Sequence, residues 1–289
     1  MPFRLHKNLV KRTATHHVYF KAYMRTLIFI PTYNERENAP MICEQIHKLG
    51  IDADVLFVDD ASPDGTGQVL DELKSRFPRL SVLHREGKLG IGSAHKEAIQ
   101  RAYAQGYQLL VTMDCDFTHS PADIPRLIAA AQEADMAIGS RWLQARSLPG
   151  WNLFRRTMTW LGHCLTRFVL GIRQDASGAF RAYRLNRIPP DVFGLVRSRN
   201  YAFFFESLFI LNRNGVTIRE IPITLPARTY GHSKMSTAAA ARSARYIFEL
   251  WLAHWRKPET FLVSRFKPEI APVHISATPK FETHHENIL

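Results

Sequence analysis

From residue 26 onward, short apolar runs alternate with amphipathic stretches of helical length. TLIFI (26–30), DVLFV (54–58), LSVLH (80–84), QLLVTM (108–113) and DMAIGS (135–140) read as buried strands. Helices are expected over 38–49, 67–77 and 93–105, with a further one opened by Pro121 after Ser120. Pro40 just inside the first helix and Gly50 just past it are the punctuation such a segment carries. Strand ends recur near 30, 58, 84, 113 and 138, a spacing suited to right-handed βαβ units and a mostly parallel sheet. The expected fold is α/β, a doubly wound nucleotide-binding architecture.

After Arg141 this rhythm breaks. Residues 150–170 form a helical stretch rich in Trp, Phe and Arg, and SGAFRAYR (177–184) a short strand-like piece. An apolar helix is expected over 201–211 and an alternating strand over 216–225, where Pro222 implies a sheet edge or a bend. The segment 236–256 is an amphipathic helix with Ala244, Phe248, Trp251 and Trp255 on one stripe, and Arg242, Arg245, Glu249 and Arg256 nearly opposite. Both core packing and a membrane-interface role fit that stripe. Residues 1–24 read as a loose basic arm without the apolar core of a secretory signal, with Met24 an alternative start. Residues 258–289 read as a flexible tail. The organisation expected is thus a basic arm (1–24), a catalytic domain (25–235), an interface helix (236–257) and a tail.

Charge and cysteine usage narrow the class. The net charge of +12 concentrates in 1–25 and in 141–174, two segments without an acid. Such blocks attract polyanions, whether nucleic acid, an anionic membrane or a phosphorylated substrate. No apolar run reaches the ~18 residues of a bilayer span, so no transmembrane helix is expected. Cys43, Cys115 and Cys164 are odd in number, far apart and without C-x-x-C spacing, which argues against disulfide and structural zinc frameworks and for a reducing compartment.

Chemistry gathers after the strands. The run 109–113 ends on Asp114 and Asp116, one residue apart, where open α/β sheets bind ligands. Two carboxylates there suit Mg²⁺ or Mn²⁺ completed by substrate phosphates, although a solvated capping loop also fits a lone D-x-D. PTYNE (31–35) adds an aromatic face and polar groups, and Asp59 and Asp60 in DDASPDGTG (59–67) can accept hydrogen bonds from a base or ribose. HREGKLGIGSA (84–94) brings glycines and Lys88 to a helix N-terminus, a place for phosphate, yet matches neither a P-loop nor G-x-G-x-x-G.

IPTYNE (30–35), VDDASPDGTG (58–67), REGKLGIGSA (85–94), MDCDFTHSP (113–121), GSRW (139–142), DASGAFRAYR (175–184) and IPITLPARTYGHSKM (221–235) occur in one order. In this the chain resembles the family 2 glycosyltransferases of GT-A fold, specifically the dolichol-phosphate (polyprenol-phosphate) mannose synthase group, over roughly residues 25–236. The resemblance implies a GDP-mannose or UDP-glucose type donor, a divalent metal and a polyprenyl phosphate acceptor at a membrane surface. Pro31, Tyr33, Glu35, Asp59, Asp60 and Lys88 would then hold the nucleotide. Asp114 and Asp116 would address ribose and metal. Arg141, Arg155, Arg181, Arg228 and Lys234 would form a cationic collar for phosphates, with Asp116, Arg141, Arg155 and Arg228 nearest the reaction. Thr118 stands where the family can place an extra metal ligand and is a weak one. The expected reaction is inverting mannosyl transfer at the cytoplasmic face of a membrane. The same reaction with another nucleotide sugar, or a non-catalytic nucleotide-sugar or polyanion-binding protein, are the alternatives. No nucleic-acid motif accompanies the charge, so no nucleic-acid partner is expected.

Overall fold

The computed structural model describes residues 24–227 and 237–263. Arg228 and Lys234, the basic arm before Met24 and the tail after Val263 lie outside the described residues.

The chain runs β1 (Thr26–Thr32), α1 (Asn38–Lys48), β2 (Ala53–Asp59), α2 (Thr66–Arg76), β3 (Leu80–His84), α3 (Ile91–Ala104) and β4 (Leu109–Thr112). A 3₁₀ turn over Pro121–Asp123 leads into α4 (Ile124–Glu133), β5 (Met136–Ser140), α5 (Leu153–Leu170) and β6 (Arg181–Arg184). Then come α6 (Pro190–Gly194), α7 (Phe203–Arg213), β7 (Ile218–Pro222) and α8 (Thr237–Arg256). The seven strands form one sheet in the order β3-β2-β1-β4-β6-β5-β7. All neighbours are parallel except β6, which runs antiparallel between β4 and β5. Pro222 closes β7 at the sheet edge, where a missing N–H leaves no neighbour unpaired.

Strand alternation divides the core. Leu27, Phe29, Leu56 and Val58 face α3, α7 and α8, whereas Ile28, Ile30, Val55 and Phe57 face α1, α2 and α4. With both faces covered, the central strands are continuous apolar runs. Helix bounds differ from the expected ones by one to three residues. The segment after Pro121 begins as a 3₁₀ turn, and the Ser120 side chain does not cap it.

Two expectations are corrected. The tail does not begin at Pro258, because Pro258–Phe261 forms a 3₁₀ turn that folds back onto α7. Asn214 donates to the Phe261 carbonyl and accepts from the Val263 N–H, while the Phe261 ring meets Phe209 edge-on. On α8, the core-facing stripe is Ile247 and Leu250, both 4% exposed. Phe248, Trp251 and Trp255 are 51%, 45% and 73% exposed, which removes the core-packing reading for them.

Candidate active site

The parallel strands β1, β2, β3 and β4 all end at one edge of the sheet, and their following loops build a cleft there. Backbone strain concentrates in it. Among the described residues, the non-glycine positions with positive φ are Asn34, Ala61 and Phe117, in the loops after β1, β2 and β4, and Arg146, after the fifth strand. Each such conformation costs about 1–2 kcal/mol in an L-residue, and strain of this kind clusters at ligand sites.

The β1 and β2 loops are laced together. The Asn34 N–H donates to Ser62 Oγ, the Glu35 N–H to Thr66 Oγ1 and the Arg36 N–H to Asp64. Asp59, 2% exposed, accepts from the Ser62 N–H and from the hydroxyls of Ser62 and Thr32. Asp60 pairs with Arg85 Nη1 at 2.6 Å and accepts the Gly90 N–H at 3.2 Å, which ties the third loop to the second. These acids therefore act first as the internal braces of the pocket. Glu35 is likewise buried and accepts from Asn38 Nδ2. The Lys88 ammonium sits 3.9 Å over the Tyr33 ring, so the first and third loops meet across the cleft. Pro31 is the partly buried penultimate residue of β1. A hollow of about 360 Å³ lies between Asp59, Ser62, Gln68, Asp71 and His84. A larger one at the opposite end of the sheet is flanked by Arg79, which pairs with Asp52 and Asp54, and is remote from these loops.

The β4 loop carries the acidic pair. Asp114 is partly exposed at the side chain, 29%, and Asp116 is 3% exposed. Thr118 donates both its N–H and its hydroxyl to Asp116 Oδ1, at 3.1 and 2.5 Å. Thr118 thus orients Asp116. His119, which sequence reasoning did not single out, is 2% exposed and stacked on Phe180 at 5.3 Å. Its Nδ1 accepts the Asp114 N–H, which fixes the turn between the two acids. No group of three or more His, Cys, Asp or Glu side chains forms a metal cage among the described residues. Two carboxylates and a hydroxyl are a hard oxygen set, which fits Mg²⁺ or Mn²⁺ shared with a substrate diphosphate and does not fit zinc.

The arginines separate on inspection. Arg141, 6% exposed, bonds Asp175 through Nε at 2.7 Å and through its backbone N–H. Burial alone raises the Asp175 carboxyl, but the charge and hydrogen bonds of Arg141 overcome it and hold that group below its ordinary value. Glu220 braces the same corner by accepting the Asp175 N–H, and burial pushes its own carboxyl upward. Arg155, in the first turn of α5, lies 3.6 Å over the Trp151 ring, and Trp151 donates to the Pro226 carbonyl. Arg181 is corrected. It is fully buried, and its five N–H groups reach Gly178 O, Ala176 O, Phe204 O, Ser207 Oγ and Tyr183 Oη. With every donor committed inside the core it does not reach a phosphate in the cleft.

The model for glycosyl transferase family 2 matches residues 27–191. The undecaprenyl-phosphate mannosyltransferase of Micrococcus luteus is 38% identical over 214 residues, 74% of this chain and 88% of the relative. The polyprenol monophosphomannose synthase of Mycolicibacterium smegmatis is 39% identical over 73% of this chain and 81% of its own length. Among solved structures, glucosyl-3-phosphoglycerate synthase of Mycobacterium tuberculosis, in complex with Mn²⁺, UDP and phosphoglyceric acid, superposes with a TM-score of 0.55. That match is 18% identical over 81% of this chain and 79% of the other, a likeness of fold. The chain belongs to glycosyl transferase family 2.

Proposed function

We propose that this glycosyltransferase moves mannose from GDP-mannose to a polyprenyl phosphate, with inversion, at a membrane surface. The observation that carries the reading is the convergence of Asp114 and Asp116 with the Tyr33–Lys88 pair and the Arg85-braced Asp60 at one strand edge. The relatives' names, undecaprenyl-phosphate mannosyltransferase and polyprenol monophosphomannose synthase, support the acceptor class.

The nucleoside enters between the β1, β2 and β3 loops, and its diphosphate extends toward Asp114 and Asp116. Asp114 and Asp116 would hold Mg²⁺ or Mn²⁺ there, and the ion would supply Lewis-acid neutralisation of the leaving diphosphate. Thr118 and His119 keep the two acids in place. Lys88 adds a point charge near the nucleotide. A polyprenyl phosphate has a second pKa near 6 and is largely dianionic at pH 7, so it attacks the anomeric carbon without a general base. The protein's task is alignment, for which Arg141 and Arg155 are placed beside the fifth-strand loop, with Arg228 and Lys234 following in sequence. Single displacement on an α-linked donor gives a β-linked product.

The membrane reading is supported by an exposed apolar surface on α5 and α8, which lie side by side. On α5, Phe154, Met158, Leu161 and Phe168 follow a helical stripe and are 66%, 43%, 45% and 81% exposed. Arg155, Arg156 and Arg167 flank them on a helix without an acid, which matches anionic headgroups. No described helix is long and apolar enough to cross a membrane.

The test is transfer of radiolabelled mannose from GDP-mannose to polyprenyl phosphate, with and without Mn²⁺. Organic-extractable product that needs metal and disappears in Asp116→Ala supports the reading. Product only with UDP-glucose changes the donor, and an α-linked product overturns the single displacement.

A further inference from the structure

Glu206 is a carboxylate that the transfer chemistry does not use. It lies within α7 and is 1% exposed, where an unpartnered charge is strongly disfavoured. Three donors converge on it: the Arg197 N–H at 2.9 Å, the Ser198 N–H at 2.8 Å and the Tyr246 hydroxyl at 2.9 Å. Tyr246 belongs to α8. Burial, and after it the charge on Glu206, push its phenol up to about 12, so it remains a donor across the neutral range. Phe248, Trp251 and Trp255, in the next turns of the same helix, form its exposed apolar stripe.

The segment that Glu206 pins is pressed against the glycine loop of the cleft. The Val196 carbonyl accepts from Lys96 Nζ at 2.6 Å, and the Arg199 carbonyl from the Ser93 N–H at 3.0 Å. A Cβ at Gly90 would lie 2.6 Å from Arg199 O, and one at Gly92 2.7 Å from Asn200 O. Such contacts leave no slack between the two segments. Gly90 in turn donates to Asp60, and Arg85 holds both Asp60 and Ser93. A continuous set of hydrogen bonds and close backbone contacts therefore runs from the inner side of α8 to an acid of the nucleotide pocket.

We propose that Glu206 is a positioning residue that couples the docking face of α8 to the glycine loop, so that an anionic membrane and a nucleoside diphosphate strengthen each other's binding. The proposal rests on the reading of the chain as a membrane-docking glycosyltransferase. Coupling of this kind is reciprocal. In the full chain, GDP with Mn²⁺ binds more tightly when phosphatidylglycerol-containing vesicles are present, and vesicles bind more tightly by the same factor when GDP and Mn²⁺ are present. A factor of about five or more is expected. Vesicles of phosphatidylcholine alone, lacking the anionic charge, give little tightening.

Tyr246→Phe removes one hydrogen bond and keeps the ring. It is expected to bring the factor close to one while leaving GDP affinity without vesicles, and Tm, near the parent values. Glu206→Gln, which keeps the shape, is expected to lower the factor as well. A merely structural role would lower Tm and leave the factor intact, and that result overturns the proposal. So does a parent protein whose GDP affinity is the same with and without vesicles. A protein that binds vesicles but neither GDP nor UDP overturns the functional reading along with it, whereas binding of both without coupling overturns the coupling alone.

Discussion

One hydroxyl carries much of the geometry at Asp116. Thr118 Oγ1 donates to the carboxylate at 2.5 Å, so Thr118→Val deletes an orienting bond and keeps the shape. Partners that orient metal-binding groups are worth about 10–100-fold in affinity or activity. Thr118→Val is therefore expected to lower transfer about tenfold and to raise the Mn²⁺ concentration needed for half-maximal rate, with little change in Tm. Unchanged metal dependence would reject that role. His95 makes a different kind of prediction. It is fully buried among Phe29, Phe203 and Phe204, and neither ring nitrogen has a hydrogen-bond partner. Burial, and then the nearby charge of Arg181, lower its pKa from 6.5 to about 3. The fold needs the neutral ring, so its contribution is whole above pH ~6.5 and is lost as pH falls, by about 1.4 kcal/mol per pH unit. His95→Met is expected to raise the urea midpoint at pH 7 and to flatten its decline between pH 6.5 and 5. A midpoint that declines as steeply in the variant as in the parent would sink the assignment. The positions of Asp114, Asp116, Tyr33 and Lys88 in loops after strands were legible because the apolar runs before them mark the strand ends. Arg181 was not, because its partners Phe204 and Ser207 lie on α7, which no local pattern places against it.

Elements were legible wherever one periodicity dominated. The five strands and their helices follow from apolar runs and Gly or Pro punctuation, with bounds adjusted, but β3 is an edge strand of which only Leu80 is buried, so its apolar run overstated its burial. On α8 the helical wheel marked one apolar stripe, through Ala244, Phe248, Trp251 and Trp255, and a wheel cannot say whether a stripe faces the core or a surface. Packing against α7 chose Ile247 and Leu250, leaving the tryptophans outside. Trp255→Glu and Phe168→Glu, on α8 and α5, are expected to weaken vesicle sedimentation about tenfold or more each, from ~1.5–3 kcal/mol per buried large side chain. Tm should hold, since neither side chain is buried in the protein. Wild-type sedimentation by both variants would show that this face does not meet lipid. The glycine loop gives a second test. Gly92 opens α3 against Asn200 O and Phe203 Cβ, each 2.7 Å from where a Cβ would stand. Gly92→Ala is expected to cost about 1–3 kcal/mol and to raise the KM for donor more than it lowers kcat, as steady-state kinetics will show.

At the scale of the whole molecule, the charge of +12 is a statement about association. Vesicle binding is expected to weaken sharply at 1 M ionic strength, where the screening length is about 3 Å, leaving the part contributed by the α5 and α8 stripes. The antiparallel β6 has a consequence for synthesis. Because β4 pairs with β6 and not with β5, the edge of β4 waits for Arg181–Arg184, about 70 residues further along the chain. At about 5–20 residues per second, a ribosome takes roughly 4–14 s to supply them. During that interval a nascent β3-β2-β1-β4 sheet offers a bare, flat, apolar edge to its neighbours. Chains truncated near residue 150 should accumulate as aggregates, while the full chain, in which β6 pairs that edge and α7 and α8 cover the sheet, should stay dispersed.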